Sequence, residues 1–251
     1  MPRIVVISDI HGNLDALQAV WGDVRRRKAD KILFLGDAVA FGPEPNETIE
    51  FLSDVVKPDL VLRGNTDRYL LESLWKKKEH NLQPAVAQSL EWTAGKLSKK
   101  SNEYLSKMAD ETRLEIDGLK LLLCHASPGS DEIGVKAGDN EHLSAAFESA
   151  KVDVVLCGHT HVPYRTRIAG TEAINVGSVG FPFDRDLRAC YLSFFVGDGE
   201  IQELTFCKVS YPTDRTVAKM NETEMGGKSL FVHRLLTGTA SEPKLAPEKQ
   251  G

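Results

Sequence analysis

Five short apolar runs in this chain each end on residues of the kind that bind metals, and that repetition limits the possible folds more than any other feature. Arg3-Ile4-Val5-Val6-Ile7 leads into Ser8-Asp9-Ile10-His11, and Lys31-Ile32-Leu33-Phe34-Leu35 into Gly36-Asp37. Asp59-Leu60-Val61-Leu62 is followed by Arg63-Gly64-Asn65-Thr66-Asp67, and the run from Leu119 to Cys124 by His125. Asp153-Val154-Val155-Leu156-Cys157 is followed by Gly158-His159-Thr160-His161. Short continuous apolar runs fit strands buried on both faces. If each is such a strand, its oxygen and nitrogen donors converge at the carboxyl edge of one sheet, where open α/β sheets place their sites.

The donor set restricts the metal. Carboxylate oxygens mixed with imidazole nitrogens suit Mn, Fe, Co, Ni or Zn, whereas Ca and Mg prefer shells of oxygen alone. There are enough donors for two ions. A pair of ions a few ångströms apart can share a bridging carboxylate and a bridging hydroxide, and can clamp phosphoryl oxygens during an in-line displacement. The implied chemistry is metal-assisted hydrolysis of a phosphoester.

These blocks resemble, in order, the signature blocks of the calcineurin-like metallophosphoesterases: Asp9-x-His11, Gly36-Asp37 with Gly42-Pro43 behind it, Gly64-Asn65-x-Asp67, His125, and Gly158-His159-x-His161. Asn175-Val176-Gly177-Ser178-Val179 is similar to a segment of the small prokaryotic phosphodiesterase-like branch, and the resemblance runs from Arg3 to about Cys190. It implies that Asp9, His11 and His161 bind one metal and Asn65, His125 and His159 the other, with Asp37 bridging. Asp37, Asn65 and His125 would serve catalysis directly, and Asp67 would orient the adjacent site. Arg68 and Thr66 would stand beside the substrate. Thr66 replaces the histidine that in many members protonates the leaving group, and an alcohol does not titrate near neutrality.

The implied enzyme is a dinuclear phosphoric ester hydrolase, manganese being the favoured ion and Fe, Ni, Co or Zn the others. It would cleave phosphodiester or phosphoanhydride bonds of nucleotides or similar small substrates by attack of metal-bound hydroxide. The alternatives are a protein-binding scaffold that keeps the fold, or a phosphomonoesterase or protein phosphatase. Metal content separates the scaffold from the enzymes, because buried donors without an ion are expensive to assemble.

Periodicity along the chain supports an α/β sandwich: two facing mixed sheets flanked by helices, with a helical insertion at about 68–111. Asn13 is placed to cap a helix bearing Leu14, Leu17, Trp21 and Val24, which ends on basic residues that suit its dipole. Asn46 is expected to cap a second, carrying Ile49, Leu52 and Val55 or Val56. Pro84 opens one helix of the insertion, and Ser101 is expected to open the next. The insertion reads either as a cap over the substrate or as a helical pair on the side of the domain. Arg113 to Leu119 reads as a hairpin, Glu141 to Ala150 as a helix, and four alternating segments from Tyr164 to Phe206 as strands. One domain spans 1–238, and 239–251 is a polar tail.

Composition narrows the functional classes. A net charge of -5 gives no sign of a dedicated nucleic-acid surface. No apolar stretch approaches the roughly 18 to 20 residues of a membrane span, and the start enters a strand at once, so the expected compartment is the cytoplasm. The four cysteines form no Cys-x-x-Cys pair, and Cys124 lacks the following arginine of a cysteine phosphatase. Gly226-Gly227-Lys228-Ser229 resembles a P-loop end, but Glu222 stands where that loop needs glycine. His80, His142 and His233 fall outside any ligand-like cluster. Arg185 and Arg188 join Arg68 as arginines near the expected metal edge.

Overall fold

The computed structural model describes residues 1–136, 138 and 140–242. In chain order the elements begin β1 (Arg3–Ile7), α1 (Leu14–Arg27), β2 (Lys31–Phe34), α2 (Pro45–Phe51), β3 (Leu60–Val61), α3 (Asn65–Leu71), α4 (Pro84–Lys96) and α5 (Lys99–Ser106). They continue β4 (Glu111–Ile116), β5 (Leu119–Cys124), α6 (Ser144–Ala150), β6 (Val154–Cys157), β7 (Tyr164–Ile168) and β8 (Thr171–Asn175). β9 (Ala189–Gly197), β10 (Glu200–Val209), α7 (Thr213–Glu222) and α8 (Lys228–Thr237) complete them.

The strands make two five-stranded sheets, ordered β10-β9-β1-β2-β3 and β4-β5-β6-β8-β7. β1, β2 and β3 are parallel in the first, and β5, β6 and β8 in the second. The remaining strands join through antiparallel pairings. The strict apolarity of the central runs follows from burial on both faces. Ile4 and Val6 lie with Leu33, Leu121, Leu123 and Leu156 in a core between the sheets. Val5 and Ile7, one position out of phase, meet Leu17, Val20 and Ile49 beneath the helices. Leu122, Cys124, Val155 and Cys157 pack with Phe147 of α6. Each such Leu or Ile removed from water contributes roughly 1.5–3 kcal/mol. The architecture is the expected pair of mixed sheets flanked by helices.

Several element ends differ from the sequence reading, each for a local reason. Asn13 does cap α1, its side chain accepting from Ala16 N at 3.1 Å. Asn46 does not cap α2: Pro45 takes the first turn with Glu44 before it. The Asn46 amide instead bonds Lys96 O at 2.9 Å and Ser98 N at 2.8 Å, tying α2 to the α4–α5 junction. The chain then widens into a π turn at Leu52–Val56, which buries Leu52 and Val56 and leaves Val55 exposed. Ser101 does not open α5, because Ser98 accepts from Ser101 N at 3.1 Å and is the cap. The segment after Asn140 starts as a 3-10 turn, Glu141–Leu143, before α6.

The inserted helices are packed on the flank of the first sheet. Leu90, Leu105 and Met108 join the same cluster as Leu17 and Ile49, and Ser89 Oγ accepts from Phe41 N at 3.1 Å. Lys228 heads α8 with its ammonium on Asn221 O and Thr223 O, and no strand precedes it, so the P-loop likeness has no structural counterpart. Among the described residues, no helix is long and apolar enough to cross a membrane. Of the tail expected at 239–251, residues 243–251 lie outside the described residues.

Candidate metal centre

Several candidate ligands after the central strands sit in sharp turns. Asp9 (φ 55), His11 (φ 52), Asp37 (φ 58), His159 (φ 67) and His161 (φ 60) all adopt the left-handed region that costs a residue with a Cβ. Surrounding bonds hold them there. Asp9 N and Ile10 N donate to Gly36 O and Asp37 O, both at 2.9 Å, while Gly180 N donates to Asp9 O at 2.9 Å. Gly64 allows the closest approach, since a Cβ there would overlap the Asp37 carboxylate.

The side chains converge as two adjoining groups. Asp9, His11 and His161 form one: His161 Nε2 is 3.4 Å and His11 Nε2 3.9 Å from Asp9 Oδ1, and the two Nε2 atoms are 3.1 Å apart. Asn65 Oδ1 joins the other, 3.1 Å from His125 Nε2 and 3.1 Å from His159 Nδ1. Asp37 stands between, its Oδ2 3.5 Å from His11 Nε2 and 3.4 Å from His125 Nε2. Asp9 also approaches His125, at 4.0 Å, so Asp9, Asp37 and His125 make a further metal-compatible triad.

Backbone carbonyls set the imidazole orientation. Nδ1 of His11, His125 and His161 face Val39 O, Leu35 O and Phe181 O at 3.4, 2.9 and 2.6 Å. A proton on each Nδ1 leaves the Nε2 lone pair for a cation, the arrangement that metal-binding histidines adopt. Asn175 and Ser178 brace the loops: Asn175 Nδ2 donates to Gly158 O and Thr160 Oγ1, and Ser178 Oγ donates to Asp9 O at 2.8 Å.

The electrostatics suit a cation. Burial opposes the charge on Asp9 and Asp37, yet the surrounding imidazoles, His161 for Asp9 and His125 for Asp37, hold both carboxyls below their ordinary value. Burial brings His11 and His159 down to about 4, leaving both neutral ligands at neutral pH. Burial also opposes charge on His125, but Asp37 and Asp9 outweigh it and raise that imidazole to about 10. The buried carboxylates and the neutral His11 and His159 suit a mixed oxygen and nitrogen metal site, and a bound cation would displace the His125 proton.

Other residues singled out in the sequence are placed less directly. Asp67 accepts from Asp37 N at 2.9 Å, Ala38 N at 3.1 Å and Gly64 N at 3.1 Å, so it shapes the turn that presents Asp37. Burial and the neighbouring Asp37 push its carboxyl up to about 7. Thr66 is buried with its hydroxyl donating to Val39 O at 3.1 Å. Arg68 has Nε and Nη2 on the Asp131 carboxylate at 2.6 and 3.0 Å and Nη2 on Glu132 at 2.6 Å. Arg188 pairs with Asp186, and Arg185 is exposed. His80, His142 and His233 stay outside the ligand groups. The carbonyls of Leu35, Val39 and Phe181 carry no side-chain signature and were not readable beforehand.

The model of the calcineurin-like phosphoesterase superfamily domain matches residues 2–197. The chain belongs to this superfamily. An uncharacterized protein of Methanocaldococcus jannaschii is 30% identical, over 92% of this chain and 98% of its own length. A metallophosphoesterase from Sphaerobacter thermophilus is similar in structure, with a TM-score of 0.75 and 29% identity over 94% of this chain and 99% of that one. A hypothetical protein from Pyrococcus horikoshii OT3 shares the fold at a TM-score of 0.82 and 20% identity, covering 96% of this chain and all (100%) of its own. Membership of the calcineurin-like phosphoesterases supports a hydrolase, and the Asp and His groups fit divalent metal binding.

Proposed function

We propose that this calcineurin-like phosphoesterase is a dinuclear, manganese-preferring hydrolase of phosphodiester or phosphoanhydride bonds in nucleotides or similar small substrates. In this reading Asp9, His11 and His161 hold one ion, Asn65, His125 and His159 hold the other, and Asp37 is shared. The observation that carries it is the position of Asp37, whose Oδ2 is within 3.5 Å of one imidazole from each group. Its other oxygen is fixed by Thr66 N at 2.9 Å, so Oδ2 is the free donor.

Held by these seven residues, divalent ions would supply a nucleophile generated from water and neutralise charge on the phosphoryl oxygens. The chain's own residues contribute the orientation. Asp67 holds the Asp37 turn, while three carbonyls hold the His11, His125 and His161 rings. All seven donors are present and six are deeply buried or nearly so, which supports an enzyme over a scaffold with an eroded site. Four free, buried thiols fit the proposed cytoplasmic location.

A substrate panel with Mn supplied tests the proposal. It should contain aryl phosphodiesters, cyclic nucleotides, dinucleoside polyphosphates and alkyl monoesters. Metal-dependent turnover of diesters or anhydrides is expected; turnover confined to alkyl monoesters, or none with any metal of the series, contradicts it.

A further inference from the structure

Arg234, on α8 and beyond the matched family region, differs from the arginines considered from sequence. Arg68 and Arg188 are engaged by carboxylates. Arg234 has no ion pair and no side-chain hydrogen bond among the described residues, and its Nε is buried without a partner. Burial holds its guanidinium below its ordinary pKa, and Glu242 acts on it only electrostatically while accepting from Gln83. A half-buried cation with no ion pair is costly to retain.

Aromatic rings connect it to the metal centre. Arg234 Cζ lies 5.7 Å from the ring centre of Phe183 and 5.7 Å from that of Phe231. Phe183 stacks on His161 at 4.5 Å with 21° between the planes. Phe231 stacks on Phe41 at 4.5 Å, and Phe41 on His11 at 4.7 Å. The guanidinium is therefore no more than about 10 Å from the His161 ring, the cation-to-ring and ring-to-ring distances being taken end to end. Two backbone bonds make this spacing rigid: Phe183 N to His161 O at 3.1 Å, and Arg185 N to Gly238 O at 2.8 Å at the end of α8. The result is a planar donor fork against two aromatic faces, lacking a protein acceptor among the described residues and separated from the His161 ring by Phe183 alone.

We propose that Arg234 binds a second, non-scissile phosphate of the substrate, so that the site selects compounds with two linked phosphates. The inference rests on the phosphoesterase reading above. In a substrate with two linked phosphates, binding of one beside His161 would carry the other one P–O–P link further out. The guanidinium fork matches phosphate geometry there in a way lysine does not.

The test uses the full chain loaded with Mn, with Arg234→Met, which keeps an apolar stem, and Arg234→Lys. KM is measured for a dinucleoside pyrophosphate and for bis(p-nitrophenyl) phosphate, which has one phosphate. Loss of a charge-assisted fork raises the ratio of the two KM values by roughly 10- to 100-fold in Arg234→Met, with partial recovery in Arg234→Lys. An unchanged ratio overturns the proposal, whether both KM values rise together or neither does. If the wild type hydrolyses neither compound, the functional reading fails, and calorimetry with methylenediphosphonate still decides the role of Arg234. Weaker binding by Arg234→Met at unaltered melting temperature supports it, and equal affinity refutes it.

Discussion

The Nε2 atoms of His11 and His161 face one another at 3.1 Å while the Nδ1 of each ring faces a backbone carbonyl. With both Nδ1 protons so placed, two lone pairs confront each other, and a shared cation relieves the contact. Metal should therefore stabilise the fold as well as serve the chemistry. At a free concentration 100 times its dissociation constant, an ion contributes about 2.7 kcal/mol, which for a chain of this size raises Tm by about 5 to 10 °C. Scanning calorimetry of chelated and Mn-supplied protein checks this, and His161→Ala should remove most of the difference. Equal melting of chelated and loaded wild type would speak against a metal site here.

The contact between Gly64 and Asp37 gives a second prediction. A methyl group at Gly64 overlaps the Asp37 carboxylate, and Gly36, at φ 101, is pressed against the Gly64 backbone from the other side. Gly64→Ala should displace Asp37 and lower metal affinity and turnover by at least 10-fold, in the range for disturbed metal-site support, ~10- to 100-fold. Gly95→Ala is the control. Gly95 lies within α4 with nothing near its added methyl, so the change should stabilise by about 0.5–1 kcal/mol and leave metal binding alone. Comparable metal affinity in the two variants would show that the close approach is unimportant.

Acid stability should depend on Asp15, which joins α1 to α7. It accepts from Arg215 at 2.5 Å, Lys219 at 3.1 Å and Thr216 at 3.1 Å. Burial opposes its charge, but Arg215 and Lys219 outweigh burial and hold the carboxyl below its ordinary value. A carboxyl with a lowered folded-state pKa contributes stability that is present above its unfolded value and is lost as pH falls through the folded one. Asp15→Asn should therefore melt below wild type at pH 7, and the gap should shrink as the pH drops below about 4, the unfolded value of an aspartate. A gap independent of pH would assign the effect to packing.

Much of the centre was legible because its chemistry is local. Asp9, Asp37, Asn65, His125, His159 and His161 each follow an apolar run, and parallel strands bring such ends to one edge. What the pattern could not show was competition for polar partners. Nothing at Asn46 distinguishes a cap from a tether to Ser98, and Pro45 decides it by occupying the first turn. Arg68 was legible as a cation near the edge, but its partners Asp131 and Glu132 are more than 60 positions away along the chain. Arg234 was invisible for the same reason, since its neighbours Phe183 and Phe231 come together only through α8 packing.

Thr66 bears on which leaving groups the site tolerates. Its hydroxyl is spent on Val39 O, so it offers no proton to a departing alkoxide. A missing general acid typically costs ~10²- to 10⁴-fold, and the loss falls on basic leaving groups. Aryl esters and phosphoanhydrides should outpace alkyl monoesters by that order. Thr66→Val should leave the dependence on leaving-group pKa unaltered, whereas Thr66→His should flatten it. A flat dependence in the wild type means that another group, with His80 the first to examine, delivers the proton.

The central claim is that Asp37 is shared by two ions. Titration calorimetry of metal-stripped protein with Mn, followed by activity on bis(p-nitrophenyl) phosphate, measures it most directly. The wild type should bind two ions per chain, and Asp37→Asn should lose at least one together with nearly all turnover. A wild type saturating at a single ion, or an Asp37→Asn variant that keeps both ions and its activity, would contradict the account.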